Sequence, residues 1–137
     1  MGAWGTGNFA NDAALDWLAE LGEHERPLGL IESTLRRPLE ATDIYVGAGS
    51  LSAALAAAEC VAALSGRPPE YMPESLEAWL DDVEAPEADE MTRLRGLAVD
   101  ATTHVRDDSE LRELWDADPE WLAAVDELLA RLSTPDS

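Results

Sequence analysis

Three carboxylates, Asp12, Asp16 and Glu20, recur every four residues near the start of the chain. That spacing sets them on one face of a helix, where a pair such as Asp12 and Asp16 could hold a divalent metal and a hydrolytic water. Rows of this kind are more often a solvated helix face, so metal-assisted hydrolysis ranks last among the readings below. The two histidines, His24 and His104, have no neighbouring cysteine, no second histidine and no HExxH spacing, and local signals therefore assemble no zinc site. No serine sits in a G-x-S-x-G elbow. A dyad of His104 with Cys60 or an acid would need the fold to bring the two together, and no spacing favours it. "DADPEWLAAVDE", Asp116 to Glu127, places acids at positions 1, 3, 5 and 12 as a calcium loop would, yet Trp121 stands at position 6 where the turn requires glycine. We expect no catalytic residue, no bound metal and no cofactor.

The opening "MGAWGTGNFAND" carries more chemistry per residue than any other stretch. Gly5, Gly7 and Ala10 match G-x-G-x-x-[GA] ahead of a helix, but a phosphate cradle of that kind needs a preceding strand and a βαβ unit. Met1, Gly2 and Thr6 satisfy the myristoylation pattern, without the polybasic second signal that stable anchoring needs. A structural reading is stronger. Gly5 and Gly7 permit positive φ, so the chain can turn sharply while Trp4 and Phe9 enter a groove between helices, and Asn11 or Asp12 caps the first helix. The same arrangement, free helix-start amides beside an aromatic pocket, could bind a small anion. If a binding site exists here, Trp4, Gly5, Gly7, Phe9, Asn11, Asp12, Asp16 and Glu59 line it.

Charge limits the partners. The chain of 137 residues holds 29 acids against 9 basic residues, a net charge of −20, and every basic residue is an arginine. Such a surface repels phosphate backbones and anionic membranes, which excludes nucleic acid and lipid surfaces as partners and leaves a basic protein as the kind it would attract. Residues 70–137 hold −15 of that charge, so an electrostatic binding face belongs there. Cys60 stands alone, which suits a reducing cytoplasm, and no basic segment followed by an apolar run opens the chain.

These groups need a scaffold, and helical periodicity supplies it almost everywhere. The pattern predicts an all-α single domain over 1–137: six or seven helices around a central apolar helix at about 50–65, with an irregular arm at 1–11. The first helix should run from Asp12 to Leu21 and stop at Gly22; the second should start at Pro27 and end before Pro38. The third is apolar almost all round, the mark of a helix packed on several sides. Short helices then follow around Leu76 to Val83 and a longer one around Met91 to Val105. Asp107 with Glu110 resembles a capping box opening a helix over Leu111 to Trp115, and Asp118 with Pro119 opens the last, seamed by Trp121, Leu122, Val125, Leu128, Leu129 and Leu132. Only Ile44 to Val46 hints at a strand.

Within the central helix Ser52 and Glu59, seven apart, share one stripe. Either that stripe meets water or a carboxylate is buried and must be paired or hydrogen-bonded. The arm is the expected donor, through the Trp4 indole or the amides from Gly5 to Asn8.

Met1-Gly2, Trp4-Gly5, Gly7, Phe9, Asn11-Asp12, Ala14 and Asp16 resemble the opening of a bacterial family known as a domain of unknown function, whose members begin M-G-x-W-G-x-G-x-F-x-N-D. "AAAECVAAL" (Ala56 to Leu64) and "SELRELWDA" (Ser109 to Ala117), followed by "W…LLARL", resemble its central and C-terminal segments. Asn8 stands where proline is more usual. The resemblance implies a small helical cytosolic protein and brings no established activity. The leading expectation is therefore a non-enzymatic protein-interaction module that uses acidic C-terminal helices; the alternative is a small-molecule, anion or metal site beneath the arm, which could extend to hydrolysis.

Overall fold

The computed structural model describes residues 12–40, 48–67, 73–84, 86–107 and 118–133. Within them lie six helices: α1 (Asp12–Glu23), α2 (Pro27–Glu40), α3 (Ala48–Leu64), α4 (Glu74–Asp82), α5 (Ala88–Asp107) and α6 (Pro119–Ser133). No strand occurs among the described residues. The arm at 1–11, Ile44 to Val46 and the expected helix over Leu111 to Trp115 lie outside them.

Helix α3 is the centre. It meets each of the other five helices, and every residue from Ala54 to Ala62 is buried. Its alanines give neighbours close access on all sides, since the distance between packed helices follows the size of the side chains at the contact. Around it the other helices bury single stripes at helical spacing: Ala14, Trp17, Leu18 and Leu21 on α1, Ile31 and Leu35 on α2, and Trp121, Val125, Leu128 and Leu132 on α6. The Trp17 indole N–H donates to Thr34 Oγ1 at 2.9 Å, which satisfies a buried polar tip and ties α1 to α2.

Two helix ends differ from expectation. Helix α1 runs through Gly22 to Glu23, and its end falls where Pro27 disfavours helical geometry at Arg26; glycine in a helix costs only about 1 kcal/mol against alanine. The turn is closed by His24 N–H on the Leu21 carbonyl at 3.2 Å and by Arg26 N–H on His24 Nδ1 at 3.0 Å, which gives His24 a structural task. Helix α2 continues past Pro38 to Glu40. The missing proline N–H forfeits one hydrogen bond in the last turn, while the ring is buried in line with Ile31 and Leu35, so apolar burial offsets the loss.

The other ends follow the expected chemistry. Gly66 has φ of 86°, its N–H reaches the Ala63 carbonyl at 3.0 Å, and the Arg67 N–H reaches Ala62 at 2.9 Å, the paired bonds of a Schellman motif closing α3. Space around Gly66 is open, so Gly66→Ala should destabilise through backbone conformation alone, by about 1–2 kcal/mol. A urea unfolding curve would show it as a lower midpoint with unchanged slope. At the start of α6 the Glu120 N–H donates to Asp118 Oδ1 at 2.8 Å, with Pro119 in the first turn.

Candidate functional site

Of the sequence-derived site residues, Asp12, Asp16 and Glu59 lie among the described residues. Trp4, Gly5, Gly7, Phe9 and Asn11 lie outside them; Asp12 opens α1, and Asp16 and Glu20 are exposed along that helix. No group of three histidine, cysteine, aspartate or glutamate side chains among the described residues is placed to hold a metal ion. His104 is half-buried on α5 and makes no hydrogen bond to Cys60.

Glu59 is the site residue to which the described residues bring a charged partner. It is 3% exposed, and Ser52 on the same stripe is buried too, so the stripe faces protein rather than water. Arg131 of α6 answers the charge with a two-pronged contact, Nη1 to Oε1 at 2.7 Å and Nη2 to Oε2 at 3.0 Å. The same guanidinium donates from Nη1 to the Arg67 carbonyl at 3.2 Å and from Nε to Glu127, four residues back on its own helix. Planar guanidinium geometry matches a carboxylate in this way and a lysine ammonium does not. Burial disfavours the charge on Arg131, but its bonds to Glu59 and Glu127 more than offset this and hold its pKa above the ordinary value. The network joins the core of α3, the turn that ends α3, and the last turns of α6.

Cys60, next along α3, is fully buried, and desolvation together with the neighbouring Glu59 charge pushes its thiol pKa up. A neutral thiol is a poor nucleophile. Iodoacetamide at neutral pH should therefore label Cys60 only after denaturant is added; rapid labelling of the native protein would contradict this. Since the folded thiol holds its proton at pH values where the unfolded one ionises, this residue's contribution to stability is complete below an unfolded pKa of about 8.5 and declines as the pH rises above it.

Most of the surface chemistry is ionic and unevenly shared. Arg93 on α5 pairs with Glu32 on α2, and Arg106 on α5 with Asp126 on α6, so arginines join helices. The stretch from Glu74 to Glu90 holds eight acids and no basic residue. Helix α4 buries Leu76 and Trp79 toward the bundle and turns Glu74, Glu77 and Asp81 outward along the opposite stripe. Asp82, Glu84, Glu87 and Asp89 extend the exposed row, and none of these carboxylates takes part in a salt bridge among the described residues. The favourable dipole at a helix start accounts for Glu74, Glu77, Asp89 and Glu90 in the first turns of α4 and α5. It opposes Asp81 and Asp82, which close α4 with no basic residue in its last turn.

An open groove of about 250 Å³ lies between α5 and the end of α6, lined by Thr92, Arg95, Gly96, Val99 and Leu132. Arg95 Nη2 donates to the Leu132 carbonyl at 3.4 Å, a cation at the negative end of α6. No helix among the described residues is long and apolar enough to cross a membrane.

A family model described as "Domain of unknown function (DUF4259)" matches residues 2–127, a span that takes in all of α1 to α5 and more than half of α6. No curated protein and no solved structure matches the chain.

Proposed function

The chain belongs to the DUF4259 family, and from that starting point we propose that it is a non-enzymatic protein-interaction module whose exposed acidic row, Glu74 to Asp89, receives a basic protein surface. The reading places it in a bacterial cytoplasm, where the lone Cys60 stays reduced. One observation carries the proposal: Asp81 and Asp82, at the negative end of α4, form no salt bridge among the described residues and continue into further exposed acids. Within the isolated protein these two charges work against the helix they close, each by about 0.3–1 kcal/mol. A complementary cationic partner reverses that sign, and its approach would be steered by the same field.

The test sets stability against binding. Asp81→Asn with Asp82→Asn should leave the free protein as stable or slightly more stable. It should also remove salt-sensitive capture of a protein from lysate of the source organism. A matched variant, Glu20→Gln with Glu23→Gln, removes two exposed acids from the last turn of α1 and should keep that capture. Wild type and matched variant should both release the partner at roughly 0.5 M salt, where charges more than a few ångströms apart are screened. Equal capture by both variants, or an empty eluate at low salt, overturns the proposal. Thermal stabilisation by a metabolite or divalent ion, with no protein captured, would favour a ligand site beneath the arm instead.

A further inference from the structure

We draw no further inference here: the strongest candidate, the open groove between α5 and the C-terminal end of α6 lined by Thr92, Arg95, Gly96, Val99 and Leu132, carries nothing because Arg95 already caps the Leu132 carbonyl and nothing in the structure shows what covers the groove.

Discussion

Arg131→Ala is expected to lower folding stability by about 3–5 kcal/mol, the usual consequence of removing one partner from a buried ion pair. The loss would come less from attraction forgone than from what is left behind. Glu59 is only 3% exposed on the central helix, and a carboxylate there cannot recover in water the two charge-assisted bonds that Arg131 supplied. Arg131→Lys should restore only part of the loss, because an ammonium cannot engage both Glu59 oxygens and the Arg67 carbonyl in the same geometry. Replacing both partners with apolar groups, Glu59→Leu with Arg131→Met, should recover most of the stability, since buried pairs seldom exceed well-packed hydrophobes in net worth. Urea unfolding followed by circular dichroism reads all three. Arg131→Ala within about 1 kcal/mol of wild type would show that the core carboxylate does not depend on this arginine, and a double variant worse than either single one would show that the pair itself stabilises the fold.

That pair marks where reading the sequence succeeds and where it stops. Helix α3 was legible as the centre because its apolar residues fill every side of the wheel, and Glu59 was conspicuous as the charge in that run. Its partner was not. Arg131 is 72 residues away in the chain, in "LLARL" at the edge of an apolar seam, and periodicity within one helix says nothing of which face of another it meets. The retrospective signal is weak but physical: a long arginine stem flanking a buried stripe can bring its head inward. Two helix ends run past their expected stops, each for its own reason. Intrinsic preference makes Gly22 and Pro38 stops, but the stronger break at Arg26-Pro27 overrides the first and burial of the proline ring the second. The acidic row was visible as composition; its lack of ion pairs was not, because arginine pairing depends on helix neighbours such as α2 with α5. Of the candidate site, only the need of Glu59 for a partner was readable, while the arm expected to supply it lies outside the described residues.

Trp121→Ala should cost about as much as loss of the ion pair, about 3–5 kcal/mol, for a different reason. Trp121 is 2% exposed in the first turn of α6 and heads the buried seam completed by Val125, Leu128 and Leu132. Truncation forfeits the transfer of a large aromatic from water and leaves a cavity that the surrounding helices can close only in part. Leu122→Ala, on the half-buried flank of the same turn, should cost distinctly less. Trp121 and Arg131 secure opposite ends of one helix, roughly 15 Å apart at 1.5 Å per residue, beyond the range at which substitutions usually couple. If the bundle unfolds as one unit, Trp121→Ala with Arg131→Ala should therefore sum to about 6–10 kcal/mol, comparable with the whole stability of an ordinary domain. Such a chain would be largely unfolded at 25 °C. A double variant that loses no more than the larger single one, with amide exchange fast only in α6, would instead mean that α6 opens as a separate unit, since a helix already detached by the first substitution has nothing left to lose from the second.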